Sequence, residues 1–107
     1  MGKFYSLQGY KVEITRASRD GGVDIILNKY GIITYVQCKK YSGNVGVKPI
    51  RELYGVMCSN NVHNGIVANS KGGFSKDAYL FAQKNNIKLL SANDICNNSW
   101  DFFKSLQ

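Results

Sequence analysis

The chain has 107 residues, a length that fits one domain with a modest core but not two independent ones. Fourteen Lys and Arg residues against seven Asp and Glu residues give a formal net charge of +7. Such an excess is typical of proteins that meet a polyanion, although many basic domains bind none. Three widely spaced cysteines and one histidine, with no CxxC pair, argue against a zinc site and a disulfide framework. Without a long apolar run or a signal-peptide pattern, a soluble cytoplasmic protein is expected.

The first part of the chain is predicted to form three strands. Residues 10–15 (YKVEIT) alternate apolar and polar side chains with the period of two that is typical of a half-buried strand. Residues 17–22 (ASRDGG) have the composition of a turn. Residues 23–28 (VDIILN) and 32–40 (IITYVQCKK) are largely apolar and are separated by a short segment containing glycine, so they are predicted to form a hairpin.

The middle of the chain is predicted to alternate helix and strand. Residues 45–60 carry apolar side chains at helical spacing, with Pro49 where a first helical turn tolerates it. Residues 63–70 (HNGIVANS) contain a short buried strand. Residues 74–84 are predicted to form a second helix, with Ser75 as its N-cap and a hydrophobic staple across the first turn.

The last part of the chain is predicted to contain one more strand and one more helix. Residues 87–90 (IKLL) form the strand, and Ser91 with Asp94 three residues later is a weak capping-box signal for the helix. The apolar positions of this helix are Ile95, Phe102, Phe103 and Leu106. The order of elements predicts an α/β or α+β domain in which helices pack over one mixed sheet.

One acidic residue interrupts the second predicted strand. Because successive side chains point to opposite faces of a sheet, Val23, Ile25 and Leu27 are predicted to share one face. Asp24 is then predicted to point to the opposite face. An acid on an otherwise apolar strand is unusual, although an Asp beside a glycine turn is more often a turn or capping residue.

Two polar side chains on the third predicted strand face the same way. Val36 and Cys38 share the apolar face, so Gln37 and Lys39 point opposite and lie about 7 Å apart along the strand. An antiparallel hairpin can bring Asp24 to the same face. A carboxylate, an amide oxygen and an ammonium group are therefore predicted to converge at one end of the hairpin.

These groups suit the hydrolysis of a phosphodiester. Oxygen ligands hold Mg²⁺, and a nearby cation stabilises developing negative charge. Asp24 would be the anionic ligand, the side-chain oxygen of Gln37 a neutral ligand, and the backbone carbonyl of Cys38 a third. Lys39 would be the cation. Each residue taken alone has an ordinary explanation, and only the ordered set indicates chemistry.

Other basic residues are candidates for contacts with DNA phosphates. The helix predicted to begin after Ser75 follows Lys71 and two glycines, an arrangement that offers backbone N–H groups and a cation to a phosphate. An ordinary capped helix is an equally good explanation. Lys40, Lys48 and Arg51 are candidates on charge alone, and each has a solvated surface role as its alternative.

The ordered set resembles a known nuclease motif. Residues 21–26 (GGVDII) followed by 35–39 (YVQCK) are similar to the D…QxK form of the PD-(D/E)xK motif, as found in the Mrr-like restriction endonuclease domain. The resemblance continues through residues 10–15, 51–55, 69–78 and 87–90 and covers nearly the whole chain. It implies a mixed sheet flanked by helices.

The resemblance also implies an activity. Members of the family cleave double-stranded DNA, often with methylated bases, using Mg²⁺ or Mn²⁺. Asp24 corresponds to the metal ligand, Gln37 stands where related families have Glu, and Lys39 corresponds to the catalytic lysine.

Family members usually begin with a full helix that often carries an acidic residue near the metal. Residues 3–8 (KFYSLQ) are expected to be the end of that helix, so residues 1–107 are expected to form a single domain with a truncated first helix. A homodimer and a place in a larger multidomain protein are further expectations.

Two other functions remain open at this point. One is a catalytically inactive DNA-binding module of the same fold. The other is a structural or oligomerisation domain, which is disfavoured because it gives no reason for the set of Asp24, Gln37 and Lys39.

Overall fold

A computed structural model describes residues 3–7, 10–14 and 23–97 of the chain. The strands are β1 (Lys3–Leu7), β2 (Tyr10–Ile14), β3 (Ile25–Lys29), β4 (Ile32–Lys39), β5 (Asn44–Val45), β6 (Asn64–Asn69), β7 (Gly73–Phe74) and β8 (Ile87–Leu90). The helices are α1 (Val47–Ser59), α2 (Lys76–Lys84) and α3 (Ala92–Asn97). No helix in this described part of the chain is both long and apolar enough to cross a membrane.

The main sheet has the order β1-β2-β3-β4-β6-β8, and β5 pairs with β7 in a small separate sheet. Strands β1 to β4 are antiparallel neighbours, whereas β4, β6 and β8 run parallel. Parallel neighbours need a crossover connection, and α1 and α2 lie in the connections between them. The predicted mixed sheet flanked by helices is therefore confirmed.

The beginning of the chain differs from the prediction. Residues 3–8 were expected to be the end of a helix, but Lys3–Leu7 forms an edge strand in which Lys3 pairs with Ile14 and Leu7 with Tyr10. That prediction was wrong. The segment contains two adjacent aromatic residues, a type that favours strands, and β2 offers its backbone N–H and C=O groups as partners.

The first core cluster lies between the sheet and the two longer helices. It contains Val23, Val45, Ile50, Leu53, Met57, Val67, Phe74, Ala78, Ala82, Ile87 and Leu89. The apolar spacing predicted for the first helix is confirmed, because the buried residues of α1 are Ile50, Leu53 and Met57. Burial of such side chains contributes on the order of 25 cal/mol for each Å² removed from water, so this cluster supplies much of the stability.

A second core cluster covers the opposite face of the sheet. It contains Ile25, Leu27, Val36, Ala68, Leu90 and Ile95, with Cys38 and Ile66 packed against it. Val23 was predicted to share a face with Ile25 and Leu27, and this was wrong, since it packs in the first cluster. The alternation of side chains holds only within a strand, and β3 begins at Ile25.

The predicted helix caps are confirmed. The Ser75 hydroxyl accepts a hydrogen bond from Ala78 N at 3.1 Å, and the rings of Phe74 and Tyr79 pack edge to face at 5.8 Å. Ser91 N donates to the Asp94 carboxylate at 2.9 Å, while Asp94 N donates to the Ser91 hydroxyl at 3.3 Å. These reciprocal bonds satisfy backbone N–H groups that a helix start leaves without partners. The predicted helical positions Phe102, Phe103 and Leu106 lie outside the described residues.

Candidate active site

Asp24 directly precedes β3, next to the last paired position, Ile25 with Val36. Its backbone N–H donates to Val36 O at 2.8 Å. Its side-chain oxygen Oδ2 accepts a hydrogen bond from Cys38 N at 2.7 Å, a short distance typical of a charge-assisted bond. The carboxylate is therefore held against the backbone of β4, between Gln37 and Lys39 in sequence.

The environment of the Asp24 carboxylate disfavours its charge. Burial raises its pKa, while the Cys38 N–H bond and the positive charge of Lys39 lower it and offset part of that rise. Lys39 directly follows Cys38, whose N–H binds the carboxylate, so its positive charge favours the ionised form of Asp24. A partly desolvated anion of this kind is stabilised when a cation binds beside it.

Gln37 is buried, with only 3% of its surface exposed. The sheet face predicted to carry Gln37 is not polar, because Tyr35 on that face packs against the first core cluster. The side-chain oxygen Oε1 of Gln37 is enclosed and accepts no hydrogen bond from the described residues, although the residue has other interactions. A neutral amide costs less to bury than a carboxylate, which suits a covered position.

Lys39 ends β4 and is half-buried. Its carbonyl accepts hydrogen bonds from Ser70 N at 3.0 Å and from the Ser70 hydroxyl at 3.3 Å. The backbone that carries Lys39 is thus tied to the end of β6. The structure therefore brings Asp24, Gln37 and Lys39 together at one end of the sheet, as the alternation of the strands predicted.

The candidate DNA contacts fall into two groups. Lys40 and Lys71 are exposed and follow β4 and β6, close to Lys39 in the chain or in the sheet. Lys48 and Arg51 are exposed in the first turns of α1, and the Arg51 guanidinium lies 6.0 Å from the ring centre of Phe81 on α2.

Ser75 has a structural role as the N-cap of α2. The ordinary explanation for this residue, the capping of a helix, is therefore confirmed. A contact between Ser75 and DNA stays a prediction.

The sequence did not single out Asn69 as a functional candidate. This residue ends β6, is fully buried, and forms hydrogen bonds with both of the loops that follow β4 and β6. A signal was available in the sequence, because Asn69 directly follows the apolar run Ile66, Val67, Ala68. A polar residue that ends a buried run needs hydrogen-bond partners, and those partners indicate what it holds in place.

The donor atoms at this site fit a hard divalent cation. Among the residues described, no group of three or more His, Cys, Asp and Glu side chains could hold a metal ion. The site instead offers the buried oxygen Oε1 of Gln37 and the Asp24 carboxylate, which lies against Cys38 N. Oxygen ligands of this kind suit Mg²⁺ or Mn²⁺ rather than zinc.

Two solved structures share this fold. A repair endonuclease from Pyrococcus abyssi matches with a TM-score of 0.60 and 19% identity, over 78% of this chain and 38% of that chain. The DNA modification-dependent restriction endonuclease AspBHI matches with a TM-score of 0.66 and 19% identity, over 95% of this chain and 32% of that one. This chain thus spans about a third of the length of each. No curated protein matches it.

A family model for a restriction endonuclease, the Mrr catalytic domain, matches residues 1–98. The match includes all three residues of the Asp24, Gln37 and Lys39 set. Since it covers most of the 107 residues, this chain belongs to the family of Mrr-type restriction endonuclease domains.

Proposed function

We propose that this chain is a Mg²⁺-dependent endonuclease that hydrolyses phosphodiester bonds in double-stranded DNA. Membership of a restriction endonuclease family supports nuclease chemistry. One observation carries the assignment of the site: the Asp24 carboxylate accepts a hydrogen bond from Cys38 N at 2.7 Å and lies within the electrostatic reach of Lys39. A desolvated acid and a lysine beside a buried amide are the groups that this hydrolysis needs.

Three oxygen atoms would hold the metal: a carboxylate oxygen of Asp24, Oε1 of Gln37 and the backbone carbonyl of Cys38. When bound, Mg²⁺ or Mn²⁺ supplies positive charge that polarises a phosphoryl oxygen and activates water. The hydrogen bond from Cys38 N fixes one oxygen of Asp24 and leaves the second carboxylate oxygen as the one to coordinate. Burial of Gln37 fixes the orientation of its amide.

Lys39 would act on the phosphate. Its ammonium group carries the positive charge that stabilises negative charge as it develops on the scissile phosphate. The two hydrogen bonds between Ser70 and the Lys39 carbonyl hold the backbone below this side chain. A cation held in place before reaction loses little free energy to reorganisation when charge appears.

Binding of DNA would rest on exposed basic groups around the site. We assign this role to Lys40, Lys48, Arg51 and Lys71, together with the start of α2 at Ser75. The formal net charge of +7 supports a partner that carries phosphates.

The wider setting is also part of the proposal. AspBHI is described as a DNA modification-dependent enzyme, and this motivates modified DNA as the substrate here. Because the chain spans about a third of each similar structure, we propose that it works as one domain of a larger protein. A homodimer and a cytoplasmic location are further parts of the proposal.

The test is cleavage of methylated and unmethylated plasmid by purified protein in Mg²⁺, with EDTA as the negative control. Asp24→Asn should abolish cleavage. The matched variant Glu52→Gln, which neutralises an exposed acid on α1, should cut like the wild type. Cleavage by Asp24→Asn at the wild-type rate would refute the assignment of the site. DNA binding by a wild-type protein that does not cut would favour the inactive DNA-binding module.

A further inference from the structure

Two loops beside Lys39 are fastened to each other. One comprises residues 40–45, after β4, and the other residues 70–75, after β6; together they are called the paired loops. Each contains one strand of the small sheet, β5 and β7, which pair in parallel. At their far end, Ser75 N donates to Val45 O at 2.9 Å. The two loops therefore behave as a single unit.

Asn69 lies at the base of the paired loops and uses its whole hydrogen-bonding capacity on them. Its Oδ1 accepts from Tyr41 N at 2.9 Å and from Lys71 N at 3.4 Å. Its Nδ2 donates to Gly73 O at 3.0 Å and to Gly43 O at 3.4 Å. An Asn side chain offers two donors and an oxygen with two acceptor sites, so all four are occupied. Both loops are tied to one fully buried side chain.

Gly72 brings the two loops into close contact. A side chain here would overlap the backbone carbonyl oxygens of Gly43 and Tyr41 on the other loop. Backbone atoms of this kind cannot move aside as a flexible side chain would. The absence of a side chain at Gly72 is therefore a condition for the loops to meet.

The charge on the paired loops has one sign. They contain Lys40 and Lys71 and no Asp or Glu, and they are flanked by Lys39 and Lys76. Both loop lysines are exposed, as is Tyr41, with 57% of its surface accessible. Such a surface matches the charge of a phosphate backbone.

We propose that the paired loops form a rigid, positively charged shelf that binds DNA phosphates next to the scissile one, and that Asn69 is its positioning residue. The inference rests on the proposed function for the identity of its partner. The shelf begins at Lys39, whose carbonyl is bonded to Ser70 at the start of the second loop. The same hydrogen bonds thus set the position of the candidate catalytic lysine and of the shelf.

The lysines are tested by the salt dependence of binding to a short fluorescent DNA duplex in EDTA, where no cleavage occurs. Lys40→Gln and Lys71→Gln should each reduce the slope of log K against log salt by about 0.9, and the double variant by about 1.8. The control is Lys84→Gln, an exposed lysine at the other end of α2. Equal losses in all three single variants, or no loss in the first two, would overturn the shelf.

The role of Asn69 is tested by Asn69→Ala and Gly72→Ala, neither of which changes the charge. Each variant should separate the loops. In the folded variant, the slope of log K against log salt should then fall by up to about 1.8, as if both lysine contacts were lost. Asn86→Ala is the matched control, because the Asn86 side chain donates to His63 O at 2.6 Å, far from the shelf. It should lower the melting temperature without changing the slope.

Unchanged slopes in folded Asn69→Ala and Gly72→Ala would refute the positioning role, and if neither variant folds, the lysine variants decide the proposal. Failure of the shelf is distinct from failure of the nuclease. Cleavage with normal slopes in the lysine variants refutes only the shelf. Binding that depends on both lysines in a protein that never cuts refutes only the nuclease.

Discussion

At each end of the β3–β4 hairpin, the side chains lie in an environment opposite to the one that their polarity favours. At the turn, Tyr30 is 90% exposed and Ile32 60% exposed. At the other end, Gln37 is buried and Asp24 half-buried. The apolar side chains lie in water while a polar amide lies in the core. The difference in exposure between the candidate site and the turn therefore arises from the helices and loops that cover the site, and not from the polarity of the residues.

The surroundings of two lysines, Lys29 and Lys39, differ between the two ends of the hairpin in the same way. The Lys29 ammonium lies 5.9 Å from the ring centre of the exposed Tyr30, a cation–π contact at the surface that contributes about 0.5–1 kcal/mol. Lys39 lies near the Asp24 carboxylate instead, on a backbone tied to Ser70. A charge beside a desolvated acid can serve catalysis, whereas a charge at an exposed turn is largely screened by water.

Exchanging these lysines for glutamine should have a large effect at one of them only. Lys39→Gln should lower the cleavage rate by about 10²–10³-fold, the loss typical of removing one group that stabilises transition-state charge. Lys29→Gln should leave the rate unchanged. The measurement is the single-turnover rate with saturating protein. Equal rates in the two variants would mean that a lysine beside Asp24 has no catalytic value.

A second pair compares the amides at the two ends. Gln37→Glu should tighten Mg²⁺ binding about tenfold in isothermal titration, if about 1.4 kcal/mol of added attraction survives desolvation. Gln37→Leu should weaken binding and abolish cleavage while the fold survives, because it removes the oxygen at similar volume. Asn28→Asp makes the same change from amide to acid near the turn and should not alter Mg²⁺ affinity. Wild-type cleavage by Gln37→Leu would contradict the role of the amide.

A substitution in the β3–β4 turn should stabilise the protein. Tyr30 has a φ of 54° and Gly31 a φ of 83°, and Gly31 N donates to the Asn28 side chain at 3.0 Å. Two consecutive residues with positive φ favour the Asn-Gly sequence. Tyr30→Asn relieves left-handed strain of about 1–2 kcal/mol but loses the cation–π contact with Lys29, worth about 0.5–1 kcal/mol. The free energy of unfolding should therefore rise by a net amount of about 0.5–1 kcal/mol, measured by urea denaturation. Cleavage should not change, and a loss of activity would show that the turn takes part in function.

The smallest expected effect concerns the stability cost of Asp24. Because its pKa is raised in the folded state, the folded protein takes up a proton more readily than the unfolded chain, and the charged carboxylate destabilises the fold at neutral pH. Asp24→Asn keeps an oxygen for the Cys38 N–H bond and should slightly raise the melting temperature at pH 7. The gain should shrink as pH falls through the raised pKa and vanish below the ordinary value of 3.8. A lower melting temperature at pH 7 would mean that the charge is structural.

Local patterns in the sequence determined much of the architecture. Period-two alternation predicted β2, apolar runs on either side of a short glycine-containing turn predicted β3 and β4, and helical spacing predicted α1. The caps at Ser75 and Ser91 were also predicted, since a cap involves residues only three apart. The convergence of Asp24, Gln37 and Lys39 followed from the hairpin, because the register of a short hairpin leaves little freedom.

Only the tertiary structure decided which surfaces are covered. Residues 3–7 form a strand because β2 lies beside them, and Val23 packs against the helices because the strand begins after it. Gln37 is buried because segments distant in the chain cover a face that alternation alone assigned as polar. The four hydrogen bonds of Asn69 likewise join loops about thirty positions apart. The neighbours of a residue along the chain determine which way its side chain points. Its burial depends on elements that only the fold brings together.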